Sequence, residues 1–206
     1  MKARIFVVVC LLVAGALCLS VVVPAQNQAK MEQQPKKEKF GALAYLPSGA
    51  GPRMVGPGAQ ATVDLYVNSY TTDAEAKQMA GLLIESGPDA LLKALEKAKT
   101  KGKITLTGRV GFYDLKLIRS HRTANGRRIY AVGDRPVGFL EAYVSNRSRD
   151  YPFGILQLDL TTNSKGKEEG TGALIYAAKI KVLDGNSIDV ETYGIDAIKL
   201  IGVRKL

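Results

Sequence analysis

Apolar side chains recur at every second position after residue 150. Leu156, Leu158 and Leu160 alternate with the polar Gln157 and Asp159. A period of two residues is typical of a β-strand with one buried and one solvated face. A shift of one residue would turn Asp159 into the core, so the pattern also fixes the register of this strand.

Three further segments of this kind follow, at residues 173–182, 187–193 and 195–203. Asp184-Gly185, after the first of them, has the composition of a tight hairpin turn. The segment 173–182 is expected to place one set of side chains on a common apolar face, namely Leu174, Tyr176, Ala178, Ile180 and Val182. Alternating faces favour an antiparallel sheet over a parallel sheet that is buried on both sides.

One strand and two helices are predicted upstream of this sheet. Residues 61–67 alternate in the manner of a strand. Thr72 and Glu75 have the spacing of a capping box, which begins a helix. A second helix is expected to begin at Pro88 and to end at Gly102, because proline is favoured at the first helical position and glycine just after the last.

A second group of strands is predicted between the helices and the last third of the chain, at residues 104–107, 113–122, 128–132 and 137–144. Asn125-Gly126 is the strongest signal for a hairpin turn. About nine strands and two helices indicate an α+β domain. We therefore expect an antiparallel β-sheet meander with an N-terminal helical hairpin packed on it. The sequence leaves open whether the sheet is an open sheet, a sandwich or a partial barrel.

The first 25 residues have the pattern of a secretory signal peptide. Lys2 and Arg4 precede an apolar stretch over residues 5–23, and small residues follow up to Ala25. Cleavage near Ala25 would give a secreted or periplasmic protein with no membrane span. The alternative is a membrane-anchored protein, because the apolar stretch is also long enough for an uncleaved N-terminal helix.

The remaining chain divides into a linker and a single domain. Residues 26–60 are polar at first and then rich in glycine and proline, so we expect a disordered linker there. Phe40 is one of a few apolar residues that could attach this linker to the domain. Residues 61–206 are predicted to form the single α+β domain.

Charge and cysteine content narrow the classes of function. The formal net charge is +10, and the two cysteines, Cys10 and Cys18, both lie in the leader. A processed chain therefore offers no thiol nucleophile, and we predict neither a metal site nor a cofactor. A basic exported protein is drawn to an anionic lipid, an acidic polysaccharide or an acidic protein partner. Nucleic acid is disfavoured, because no recognition motif is present and export separates the protein from it.

The candidate ligand-binding residues lie around the predicted Asn125-Gly126 hairpin. They are Arg119, His121, Arg122, Arg127 and Arg128. Guanidinium groups bind phosphate, sulfate and carboxylate through paired hydrogen bonds. His121 is the single histidine, and we expect the neighbouring cations to lower its pKa and keep it neutral. The simpler interpretation of the cluster is a solvated hairpin end.

Three hypotheses for function follow. The first is an exported, non-enzymatic domain of the cell envelope that binds an anionic ligand or a partner. The second is a hydrolase, which would use His121 or a carboxylate pair. The carboxylates available on polar strand faces are Glu141, Asp159, Asp189 and Glu191. The third is a structural or assembly protein that acts through an exposed sheet edge.

Several short segments resemble exported bacterial proteins of unknown function. They are residues 134–141 (DRPVGFLE), 150–153 (DYPF), 177–180 (AAKI) and 191–194 (ETYG). The resemblance covers the chain from about Ala61 onward. It implies a bacterial, exported, single-domain protein, and it implies no activity, cofactor or catalytic residue.

Overall fold

The computed structural model describes residues 37–45, 60–106, 111–137, 150–183, 187–193 and 197–206. Within these ranges the elements follow one another as β1 (Glu38–Tyr45), β2 (Gln60–Val67), α1 (Asp73–Ser86), α2 (Pro88–Lys97), β3 (Gly102–Leu106), β4 (Tyr113–Leu115), β5 (Leu117–Thr123), β6 (Gly126–Gly133), β7 (Phe153–Thr162), β8 (Glu168–Val182), β9 (Ile188–Thr192) and β10 (Ile198–Lys205). The predicted signal peptide, the Asp184-Gly185 turn and most of the predicted strand 137–144 lie outside the described residues.

The strands form one antiparallel sheet that nearly closes into a barrel. Their order is β4-β3-β2-β1-β10-β8-β7-β6-β5, with β9 paired to β8. The first and last strands of this order follow each other in the chain and are separated only by Lys116. Backbone hydrogen bonds extend the pairing on both sides of Lys116, from Lys116 N to Val132 O of β6 at 2.9 Å and from Lys101 N, just before β3, to Leu115 O at 2.8 Å. Of the three sheet shapes left open by the sequence, the barrel-like one is observed.

Apolar side chains fill the barrel interior. Leu156, Leu158 and Leu160 of β7 are each 2% exposed or less, while Gln157 and Asp159 alternate with them and are half-buried. This confirms the predicted faces of β7. Large side chains from the other strands join them, among them Phe40, Ile104, Leu115, Ile118, Ile129, Leu174 and Ile198.

The apolar face of β8 changes sides part of the way along the strand. Ile175 pairs with Ile155, whereas Ala178 pairs with Phe153, so β8 has one extra residue there. Such a bulge reverses the alternation. Leu174 therefore points into the barrel, while Ala178 packs in a second apolar cluster outside it. The prediction of one continuous apolar face over 173–182 is wrong for this reason.

The two helices pack in this second cluster, on the outer side of the barrel. Leu83, Leu91 and Leu95 contact apolar side chains of β7 and β8 there. The capping box is confirmed, because Glu75 N donates to Thr72 Oγ1 at 3.3 Å and Thr72 N donates to Glu75 Oε2 at 2.8 Å. Two strands precede the helices, so the described part of the domain does not begin with them.

The second helix ends earlier than predicted. Pro88 is at its start as expected, but its last residue is Lys97 and its C-cap is Ala98. Gly102 belongs to β3, where an added Cβ would lie 2.2 Å from Tyr66 O. Gly102 is therefore a site of close strand contact, and the prediction that it ends the helix is wrong.

The strand β1 lies inside the range predicted to be a disordered linker. It pairs with both β2 and β10, and Phe40 and Ala44 are buried in the barrel. The prediction for 26–60 is therefore wrong over Glu38–Tyr45. Its inward positions include the small Ala42 and Ala44, and lysine-rich sequence precedes it, so its pattern is weak. Pairing on both sides supplies the order that the local sequence does not indicate.

The predicted hairpin joins β5 to β6, but its turn lies one residue earlier than expected. Thr123 pairs with Gly126, and Ala124 and Asn125 form the turn. Gly126 does not have a positive φ. An added Cβ there would lie 2.1 Å from Leu160 O of the neighbouring strand. Glycine is required at this position because the neighbouring strand lies too close for a side chain. The prediction of the turn considered only the positive φ that glycine allows.

Two glycine substitutions should change stability in opposite directions. Gly126→Ala should lower the free energy of unfolding by about 1 to 3 kcal/mol, because the backbone of β7 must move to admit the methyl group. Gly81→Ala in α1, where an added Cβ meets nothing within 4 Å, should raise it by about 0.5 to 1 kcal/mol. Urea unfolding measures both. Equal stability of the two variants would contradict the close contact at Gly126.

Candidate functional site

The five residues predicted to bind an anion do not share one face of the hairpin. His121 lies opposite Arg128, and Arg122 lies opposite Arg127. Since Ile118 and Ile129 point into the barrel, alternation places Arg122 and Arg127 on the inner side and the other three on the outer side. The structure therefore divides the predicted cluster between two surfaces.

The outward arginines are already paired with carboxylates. Arg119 Nη2 donates to Asp73 Oδ1 at 2.5 Å, and its Nη1 donates to Thr71 O at 2.9 Å. This hydrogen bond and the charge of Arg119 lower the pKa of Asp73. Arg128 Nε donates to Asp159 in the same way. Both guanidinium groups link strands to neighbouring elements and have less capacity for an external anion.

The tip of the hairpin presents His121 and Arg122 to solvent. The His121 ring meets the Tyr130 ring edge-on at 5.8 Å. Partial burial, and then the charge of Arg119, lower the pKa of His121. The direction is the one that the sequence predicts, with burial as the larger cause. Among the described residues, Arg122 has neither an ion pair nor a hydrogen bond through its side chain, so it is the available cation of the five.

Arg127 belongs to a network of polar side chains that closes one end of the barrel. We call this network the charged cap; it consists of Glu38, Tyr70, Arg127, Glu168 and Lys205. Arg127 donates to Glu38 at 2.9 and 3.1 Å and to Glu168 at 2.6 and 2.7 Å. Lys205 and Tyr70 each donate to Glu38 at 2.5 Å. The Arg127 guanidinium carbon also lies 5.6 Å from the centre of the buried Phe40 ring.

The charges within this cap balance. Two carboxylates face two cations, and the Glu38 side chain is only 6% exposed. Burial alone would raise the pKa of Glu38, but hydrogen bonds from Arg127, Lys205 and Tyr70 hold it below its ordinary value. Burial and the hydrogen bond to Glu38 raise the pKa of Tyr70. The cap is therefore a satisfied ionic seal over an apolar interior.

Two of the carboxylates proposed for hydrolysis, Asp159 and Glu191, have partners of other kinds. Asp159 accepts from Arg128 and from Gln157 Nε2. Glu191 is paired with Lys181, and it accepts from Tyr151 OH at 2.6 Å. Glu141 lies outside the described residues. Within the described ranges no group of three or more His, Asp or Glu side chains is arranged to hold a metal ion. No helix there has the length and apolar character needed to cross a bilayer.

The helices cover the outer side of the barrel at β7 and β8, and a different part of the outer surface carries positive charge. We call this part the basic face; it consists of the outward positions of β1, β2, β3 and β10, with Phe112 and Leu206 beside them. These positions alternate with the inward ones of the core. The four strands contribute four cations and one carboxylate, namely Lys39, Lys103, Lys199, Arg204 and Asp64.

Two lysines of the basic face lie over aromatic rings. Lys39 Nζ is 5.1 Å and Lys103 Nζ is 5.2 Å from the centre of the Tyr66 ring. Lys103 Nζ is also 5.2 Å from the centre of the exposed Phe112 ring. Lys39 pairs with Asp64 at 3.0 Å. These contacts arrange lysines and rings in a row across β1, β2 and β3.

Exposed apolar side chains lie among these cations. Phe112 is 49%, Ile201 41% and Leu206 57% exposed. Ile201 lies directly opposite Leu43 on the neighbouring strand. Leu206 lies beside Gly41, where an added Cβ would come within 3.2 Å of it. Of the four large apolar residues that are exposed within the described chain, three therefore belong to this face, and the fourth, Leu183, does not.

The charge of the basic face decreases at its borders. Asp114 of β4 lies opposite Lys103, and Glu169 of β8 lies opposite Arg204. The excess of cations is therefore confined to the centre, where β2, β1 and β10 adjoin. Sequence inspection missed this face, because its lysines and arginine are more than 160 residues apart at the extremes and only the sheet brings them together.

Replacing Arg127 should destabilise the fold, and replacing its cross-strand neighbour should not. Arg127→Gln leaves Glu38 and Glu168 without their guanidinium partner, so the free energy of unfolding should fall by about 3 kcal/mol or more. Arg122→Gln is the matched control, and it should change stability by less than about 0.5 kcal/mol. Urea unfolding at pH 7 measures both, and equal losses would contradict the role of the cap.

Glu38 should make stability depend on acid pH. Its folded-state pKa lies below the ordinary 4.5, so its ionised form stabilises the fold fully above pH 4.5. This contribution is lost as the pH falls through the folded-state pKa. The difference in free energy of unfolding between the wild type and Glu38→Gln should therefore shrink as the pH is lowered below 4.5. A difference that stays constant from pH 7 to pH 3 would be the contrary result.

Comparison of this chain with protein-family models, with curated proteins and with solved structures finds no match. What the protein binds is therefore inferred from its own charged cap, hairpin tip and basic face.

Proposed function

We propose that this protein is an exported, non-enzymatic domain of the cell envelope that binds an anionic partner through the basic face. The observation that carries the proposal is the excess of cations on four neighbouring strands, outside the apolar cluster in which the helices pack. Like charges placed together on a folded surface attract an opposite charge more strongly than scattered ones do. Only Lys39 of the four cations forms an ion pair among the described residues.

The packing of the domain supports a binding role over a catalytic one. The described interior of the barrel is filled by apolar side chains. Every buried side-chain nitrogen or oxygen in the described ranges has a hydrogen-bond partner. A catalytic group needs access to substrate and a displaced pKa that serves its chemistry. The most perturbed groups here, Arg127 and Tyr70, serve the charged cap instead.

The place of action follows from the leader predicted over residues 1–25. A chain delivered across a membrane meets anionic lipids and acidic polysaccharides there. The formal net charge of the full chain is +10, and loss of Lys2 and Arg4 with the leader leaves +8 (10 − 2), which would speed its encounter with either. The predicted leader and the basic face therefore support the same place of action, the cell envelope.

The hairpin tip is a second candidate for the anion-binding position. Arg122 is exposed and has no ionic partner in the described chain. However, the pKa of its neighbour His121 is lowered, which favours the neutral imidazole. The other three arginines are paired with carboxylates. One available cation offers less than the three cations of the basic face that have no ion pair in the described chain, and we therefore assign the tip the lesser role.

Retention on immobilised heparin tests this proposal. The double variant Lys103→Glu, Lys199→Glu should elute at clearly lower salt than the wild type, because two cations that have no ion pair in the described chain become repulsive. The matched control Lys77→Glu, Lys93→Glu changes two exposed helix lysines and has the same net charge. It should elute close to the wild type, since only the location of the change differs.

Three results would decide against the basic face. Equal shifts in the two double variants would show that net charge alone controls retention. A larger shift for Arg122→Glu than for the strand variant would place binding at the hairpin tip. Failure of the wild type to bind heparin, and equally vesicles that contain anionic lipid, would exclude the proposed function.

A further inference from the structure

We infer that the anionic partner is the headgroup layer of a lipid bilayer, and that the basic face lies on it. This inference rests on the proposed function and names the chemistry of its partner. The observation behind it is that apolar and cationic side chains are interleaved on one uncovered surface. A purely ionic partner needs only the cations, whereas a bilayer surface offers phosphate and hydrocarbon within a few ångströms of each other.

The apolar groups are placed between the cations. Along β10, Lys199, Ile201 and Arg204 all point outward and are exposed. Across the sheet, Phe112 lies under Lys103, with the Nζ 5.2 Å from the ring centre. Leu206 covers Gly41 of β1. A flat surface that touches the cations would therefore touch these apolar side chains as well.

Each type of side chain suits a different depth of the interface. Lysine and arginine keep their charge at the level of the phosphates while their methylene groups contact hydrocarbon. Amphipathic rings such as that of Tyr66 favour the headgroup level, and the Phe112 ring and aliphatic groups gain by leaving water. A lysine near an anionic membrane strengthens binding by about fivefold. Four cations with three exposed apolar residues thus provide both components of interfacial binding.

Polysaccharide and nucleic acid explain less of the same surface. An acidic polysaccharide pairs with the lysines but gives Ile201 and Leu206 no hydrocarbon to enter. Single-stranded nucleic acid binds by stacking bases on open aromatic faces. The Tyr66 ring has Lys39 and Lys103 above it, at 5.1 and 5.2 Å, so it is a poor stacking platform. The exposed aliphatic residues therefore favour lipid.

A single tryptophan can report whether this face enters the bilayer. The chain contains no tryptophan, so Phe112→Trp introduces the only one, on the basic face. Leu183→Trp places it at an exposed apolar position (50%) elsewhere and is the matched control. Both variants are made in the full chain, so any membrane affinity of the leader is the same in both.

The probe is a vesicle of phosphatidylcholine with phosphatidylglycerol, compared with a vesicle of phosphatidylcholine alone. We expect the emission of Phe112→Trp to shift to shorter wavelength, and to be quenched by brominated acyl chains, with the anionic vesicle. Leu183→Trp should show neither effect. Adding Lys103→Glu and Lys199→Glu to Phe112→Trp should weaken its partitioning at least tenfold, because two attractions of about fivefold each are lost.

The outcomes separate this inference from the proposed function. If Phe112→Trp shows no shift while the protein still binds heparin through the basic face, the partner is a polyanion other than a bilayer and the inference is wrong. If Phe112→Trp and Leu183→Trp shift equally, the face does not orient the protein and the inference is also wrong. If neither heparin nor anionic vesicles are bound, both the inference and the proposed function fail.

Discussion

The structure depends on one constraint of connectivity, which is that the two ends of the strand order are consecutive in the chain. The strands β4 and β5 are separated by Lys116 alone, so the sheet must curve until its edges meet. Hydrogen bonds at Lys116 and Lys101 continue the pairing with β6 and β3 on either side of this junction. Curvature gives the sheet an inside and an outside, and every later feature follows from that division. The inward positions become the core, and the outward positions must be covered or solvated.

In a closed barrel, polar side chains meet the apolar core at the ends of the barrel. One end each of the strands β1, β6, β8 and β10 lies at the same end of the barrel, which brings Glu38, Arg127, Glu168 and Lys205 together. Removing one member would leave the opposite charge unpaired where little solvent reaches it. The resulting loss in free energy of unfolding is larger than the net contribution of the intact pair. The charged cap therefore gives two neighbouring hairpin arginines different roles. Arg127 points inward and stabilises the fold, whereas Arg122, directly opposite, makes no side-chain hydrogen bond or ion pair in the described chain.

Local patterns predicted the features that local chemistry controls. The alternation of Leu156, Leu158 and Leu160 and the capping box at Thr72 were both found as expected. The strand β1 was missed, because its order comes from pairing on both sides. The charged cap was missed for the same reason, since the partners of Glu38 lie 89 and 167 residues away. The bulge in β8 was missed because strict alternation assumes one residue of β8 for each residue of β7.

The same reasoning explains why a cluster of arginines in sequence was a poor guide to a binding surface. On a hairpin, neighbours in sequence point to opposite sides, and three of the four arginines meet carboxylates of their own side, while Arg122 meets none in the described chain. The cations of the basic face come from distant parts of the chain, but the sheet aligns their side chains outward, and few carboxylates lie among them. A surface charge remains available for a partner when the fold supplies no counter-ion for it. By that criterion the basic face, with Lys103, Lys199 and Arg204 lacking ion pairs in the described chain, is better suited to external anions than the hairpin is.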